Sequence, residues 1–217
     1  GSGRIAVATT SGAVVTAGGV YGADGANAVN PLIYGLVVTN AVSGLFVTDG
    51  AAINLVKEGD LVVGRVASGT FAGKAAFAIA INPTTGVVTV EQYLSLDHPL
   101  NPNPDDLVSL AAGSLGATVT RTDGDGDKAT SAAADISGQI TFDDDGPTIT
   151  TVTDPLVILN DSTPSASGSF VFSTGADGAK ATNDAISVSN FTVTVNGVAA
   201  TGINLSLGVE DATFANY

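Results

Sequence analysis

Cysteine, methionine and tryptophan are absent from this 217-residue chain, and histidine occurs once. Without cysteine there is no disulfide framework and no thiolate metal site. That suits the cytosol, and equally a secreted protein stabilised by metal instead of disulfides. Basic residues are scarce: 7 Lys and Arg stand against 21 Asp and Glu, giving a net charge of −14. Nucleic acid and anionic membranes both need basic patches, so neither is an expected partner. No apolar run approaches the roughly 18 residues of a membrane-spanning helix, so no membrane insertion is expected. The first residues lack a basic region followed by an apolar one, so no signal peptide is expected there. Helix signals are nearly absent. No Gly-x-Ser-x-Gly nucleophile elbow occurs and His98 has no second histidine to share a zinc, so an enzyme is not expected.

What is present is small and β-branched. Apolar residues make up 44% of the chain, aromatics only 6%, and glycine is frequent at 27 residues. Short apolar or alternating runs recur between Gly, Asn, Asp and Pro, the pattern of an all-β protein. Strands are expected at 5–9, 32–39, 52–56, 61–66, 75–81, 87–96, 116–121 and 136–142. Asn82-Pro83-Thr84-Thr85-Gly86 reads as a hairpin turn. In the strand after it, Val88, Val90, Gln92 and Leu94 share one face and Val87, Thr89, Glu91 and Tyr93 the other. The proline-rich stretch Asp97–Asp106 cannot enter a central strand or a helix and reads as an ordered loop. Further strands are expected at 148–152, 156–159, 169–172 and 186–195, the last ended by the hairpin pair Asn196-Gly197. The expected architecture is an Ig-like or Greek-key β-sandwich repeat over residues 1–146, followed by a second, partial β repeat over 147–217. Gly22-Ala23-Asp24-Gly25-Ala26 recurs as Gly175-Ala176-Asp177-Gly178-Ala179, an internal echo in keeping with two repeats.

Acidic residues cluster in three places. Asp123-Gly124-Asp125-Gly126-Asp127 alternates carboxylates with glycine, which gathers several oxygens on one side of a loop. Calcium takes six to eight oxygen ligands, and such a loop supplies several at once. It is not an EF-hand: counting from Asp123, the sixth position is Lys128 and the twelfth Ala134. An Asp-Gly hairpin turn without metal is the simpler reading of the same residues. Asp143-Asp144-Asp145, before Gly146-Pro147, forms the second cluster, where three adjacent carboxylates repel unless solvated or metal-bound. At a junction between repeats such a site would stiffen the rod; a solvated acidic linker is the alternative. Asp24 and Asp177 of the repeated segment complete the expected metal ligands, with turn residues as the alternative. His98 lies near Asp97, Asp105 and Asp106. It reads as a packed loop residue, and Asp105 and Asp106 as calcium ligands, a turn, or an N-cap for Leu107–Leu110.

Tyr93, His98-Pro99, the Asn/Pro run to Asp105-Asp106, Ala117–Asp127 and Ile140–Pro147 follow one another in an order that resembles the large β-repeats of giant RTX adhesins. Gram-negative bacteria export these by type I secretion. Gly22–Ala26, Leu32–Thr39, Gly44-Leu45 and Val63-Gly64-Arg65 fit as well, so the resemblance covers roughly residues 18–150. It implies a calcium-dependent extender of a secreted cell-surface adhesin, supporting cell adhesion or biofilm formation, with Ca2+ as cofactor. The implied location is extracellular, and the implied partners are neighbouring repeats of the same chain, with host or surface ligands met through other modules. A sugar- or peptide-binding module of the same adhesin, using the Asp97–Asp106 loop, is the alternative.

Overall fold

The computed structural model describes residues 3–100, 106–144, 148–153, 169–173, 194–195 and 198–199. In chain order the strands of its larger part are β1 (Ala6–Thr9), β2 (Leu32–Val38), β3 (Val42–Phe46), β4 (Ala52–Glu58), β5 (Leu61–Val66), β6 (Ala75–Ile81), β7 (Val88–Gln92), β8 (Leu107–Ser109), β9 (Leu115–Thr122), β10 (Lys128–Thr130), β11 (Ala134–Asp135) and β12 (Thr141–Asp143). Beyond them lie two paired sets, β13 (Thr148–Thr153) with β14 (Ser169–Ser173), and β15 (Thr194–Val195) with β16 (Val198–Ala199).

Antiparallel pairing dominates, as short turns between successive strands require. Six strands form one sheet in the order β1-β7-β6-β5-β4-β3, a run of consecutive hairpins from β3 to β7 with β1 added against β7. The hairpin expected at Asn82–Gly86 is there. Asn82 Oδ1 accepts from the N–H groups of Thr84 and Thr85 at 2.9 and 3.0 Å, and Gly86 donates to the Asn82 carbonyl at 2.9 Å. In a second sheet β9 is central: β2 pairs along one edge, while β10 and β11 share the other. β8 and β12 form a two-stranded pair.

The two larger sheets bury one core between them. Leu36, Leu115 and Ala117 from the β9 sheet join Ile53, Leu55, Val62, Phe77, Ile79 and Val88 from the six-stranded sheet. Phe77 lies fully buried with its ring centroid 5.0 Å from that of Phe142 on β12. It sits opposite Gly64 on β5, and a β-carbon at Gly64 would come within 2.5 Å of the Phe77 ring. The all-β sandwich thus holds, with its side-chain alternation: Val88 is buried, and Val90 and Leu94 pack on the core from the expected face.

Three local expectations need correction. The strand expected at 87–96 ends at Gln92, beyond which the N–H groups of Tyr93 and Leu94 both turn to the Ala76 carbonyl. The span 136–142 is not one strand, because Ser137–Gln139 forms a 3-10 turn before β12. The buried Ser137 hydroxyl group takes the place of a ladder partner there, accepting from the N–H groups of Ser114 and Leu115 at 3.1 and 2.9 Å. It also donates to Asp135 Oδ1 at 2.6 Å. Leu107–Leu110 is not helical; Leu107–Ser109 is β8, paired with β12.

The chain divides into two compact units, Gly1–Asp177 and Gly178–Tyr217. The sandwich belongs to the first and the β15–β16 pair to the second. The boundary expected between 146 and 147 falls on residues outside those described, as do the strands expected at 156–159 and most of 186–195.

Candidate metal centres

Thr122 ends β9 and Lys128 opens β10, so Asp123–Asp127 is the turn of a hairpin. The turn is closed by backbone bonds from Asp123 N–H to the Asp127 carbonyl at 3.0 Å and from Gly126 N–H to the Asp123 carbonyl at 3.2 Å. The Asp127 N–H donates to Asp123 Oδ1 at 2.8 Å. The expected turn geometry and the expected gathering of carboxylates therefore coexist.

A distant segment, the strap of residues 17–27, completes the cluster. The Arg121 guanidinium group donates to the carbonyls of Gly18 at 2.8 Å and Ala17 at 3.1 Å, and lies 4.6 Å from the Tyr21 ring centroid. A fork of fixed donors suits this clasp better than a flexible ammonium group. The strap continues along the hairpin, where Ala26 bridges to Asp123 and Asn27 N–H donates to the Thr122 carbonyl at 3.1 Å. Between these anchors the Asp24 backbone is pressed against Gly124. Carboxylate oxygens of Asp24, Asp123 and Asp125 consequently lie within 4.8 Å of one another.

Electrostatically this is an uncomfortable site for protons to leave. A hydrogen bond with the Asp125 carboxyl group raises the pKa of Asp123 above its ordinary value. Burial and the charges of Asp125 and Asp127 add to the rise, and the backbone N–H of Asp127 opposes it. Three carboxylates offer up to six oxygens, all of the hard type that calcium prefers. Asp127 contributes its backbone and its charge, while its carboxylate stands outside the group of three.

The second acidic run separates in space. Asp143 is exposed at the end of β12, while Asp144 is half-buried just beyond it. Asp144 approaches His98 and Asp106, and ligand atoms of these three residues also lie within 4.8 Å of one another. Asp106 organises this group. Its Oδ2 accepts from Leu100 N–H at 3.0 Å, and its carbonyl accepts from Asp144 N–H at 3.1 Å. The same carbonyl lies 3.1 Å from His98 Nδ1, which is 3.4 Å from Asp106 Oδ1. Proximity of Asp106 to His98 was legible in the sequence; the joining of Asp144 to them was not. Asp145 and Asp177 lie outside the described residues.

Fold and loops together define an antiparallel β-sandwich carrying acidic clusters at its loop ends. The chain belongs to the family described as a domain of unknown function, DUF5801, whose match covers residues 4–137. No curated protein and no solved structure matches the chain. The family match takes in Asp24, His98, Asp106, Asp123 and Asp125 and ends before β12 and Asp144. Among the described residues, no helix is long and apolar enough to cross a membrane.

Proposed function

We propose that this chain is a calcium-stabilised structural extender of a secreted, RTX-type bacterial surface adhesin, and that it acts by folding rather than by catalysis. The observation that carries the reading is the meeting of Asp24, from the strap, with Asp123 and Asp125, from the hairpin turn. Repulsion among these carboxylates opposes closure of the strap, and a divalent cation reverses that sign. Metal binding is then folding free energy, because the site exists only when strap and hairpin are together. Such a device suits export of an unfolded chain from a calcium-poor cytosol into a calcium-rich exterior, the route implied by the resemblance to RTX adhesins. The partners are neighbouring repeats of the same chain.

Calorimetric titration with calcium tests the site. The intact chain should bind, and Asp24→Asn and Asp125→Asn should each weaken binding by at least about tenfold, on the scale of about 1.4 kcal/mol per decade. Equal affinity in all three would sink this assignment.

A further inference from the structure

We propose that His98, Asp106 and Asp144 form a separate metal centre suited to a divalent transition ion of the zinc type, not to calcium. The inference does not depend on the calcium reading. Its basis is the state of Asp106. The side chains of His98 and Asp106 are only 6% and 2% exposed. Buried carboxylate oxygens in folded proteins almost always have a partner, and an orphan calls for a cause such as an ion. Asp106 Oδ1 is buried without a hydrogen-bond donor. The nearest candidate, His98 Nδ1 at 3.4 Å, is closer to the Asp106 carbonyl, at 3.1 Å, and that carbonyl can only accept. Asp106 Oδ2 is meanwhile held by Leu100 N–H, which fixes the carboxylate and leaves Oδ1 as its open donor atom.

The imidazole is within reach of that open oxygen: His98 Nδ1 lies 3.4 Å from Asp106 Oδ1, the spacing of two ligands on one ion. Ligands about 2 Å from a shared ion lie about 3–4 Å apart, which small side-chain adjustments reach from separations within 4.8 Å. Donor type then selects the ion. Calcium wants six to eight oxygens, whereas one imidazole with two carboxylates is a set that zinc accepts, with a fourth position left for water. The Asp24, Asp123 and Asp125 group is all oxygen and more exposed, so one sandwich would carry two sites of different selectivity. An ion here would tie the loop after β7, the entry to β8 and the exit of β12 at one point.

Histidine occurs once and cysteine not at all, so imidazole ligation has a single possible origin. The test is a zinc titration of the tag-free chain in saturating calcium, followed by long-range 1H–15N spectra of the His98 ring and by calorimetry. One ring nitrogen should move to a metal-bound shift and saturate at one equivalent of zinc. Asp106→Asn should weaken zinc at least about tenfold, while Asp125→Asn should leave it within about twofold, the two groups being independent. The proposal is overturned if the ring nitrogens ignore zinc, if saturating calcium abolishes the response, or if Asp125→Asn loses zinc as Asp106→Asn does. Should Asp106→Asn fail to fold, the spectra of the unaltered chain decide alone.

Discussion

The backbone of Asp24 rests directly on Gly124: a β-carbon at Gly124 would run into the Asp24 carbonyl oxygen, and Asp24 Cβ would lie only 3.4 Å away. Glycine is needed here for space, because only a residue without a side chain lets the strap seat on the hairpin. Gly124→Ala should therefore displace Asp24 while leaving Asp123 and Asp125 in the turn. Calcium affinity should fall at least about tenfold, with about 1–3 kcal/mol lost from the calcium-bound chain. Calorimetry and urea unfolding check both parts.

The pH dependence has a definite sign. The pKa of Asp123 is raised, first by the hydrogen bond with Asp125, so the folded chain binds that proton more tightly than the unfolded chain. Without calcium, its contribution to stability is present below the unfolded pKa and is lost as pH rises through the folded one. Glu58, Glu91 and Asp135 have lowered pKa values, chiefly through hydrogen bonds from Arg65, Tyr93 and Ser137 respectively. Their contributions have the opposite sign, present above the unfolded pKa and lost on acidification. The comparison to make is thus unaltered chain against Asp123→Asn. At neutral pH without calcium the variant should be the more stable of the two, and the gap should close on acidification. In millimolar calcium the order should reverse.

Gly64 and Phe77 make the tightest fit in the core. An added β-carbon at Gly64 would meet three atoms of the Phe77 ring at 2.5 to 2.8 Å, and the ring cannot retreat because it packs on Phe142. Gly64→Ala should destabilise the chain by about 1–3 kcal/mol with or without calcium. Unfolding in both conditions separates this loss of packing from an effect on metal.

Ser137 is the hub of a buried polar group that joins β9, Asp135 and the 3-10 turn. Ser137→Ala leaves the Leu115 N–H short of an acceptor, while Ser114 N–H keeps the Ala111 carbonyl at 3.0 Å, and the loss should cost about 1–3 kcal/mol. Denaturant titration measures it.

How much of this could be read from the sequence depends on range. Strands β5 and β6 are bounded as expected, since Leu61–Val66 and Ala75–Ile81 are apolar runs between clear turn residues. β3 escapes the pattern because Val42-Ser43-Gly44-Leu45-Phe46 holds a glycine and a serine. The serine is fully buried through its bonds to the Ile53 carbonyl and Leu45 N–H. The turn at Ser137–Gln139 is invisible for a similar reason: a side chain supplies what a strand partner would. Each acidic run was legible locally. What local reading misses is which carboxylates meet. Asp24 reaches Asp123 and Asp125 because Arg121 clasps the strap on one side of it and Ala26 and Asn27 pair with the hairpin on the other, and Asp144 parts from Asp143 because the two follow one another at a strand end.

Thermal unfolding of the intact chain in EGTA and in millimolar calcium, alongside Asp125→Asn, tests the central claim most directly. The account predicts a melting temperature well above the EGTA value when calcium is present, and loss of most of that gain in Asp125→Asn. A melting temperature that ignores calcium, or an equal gain in the variant, would contradict it.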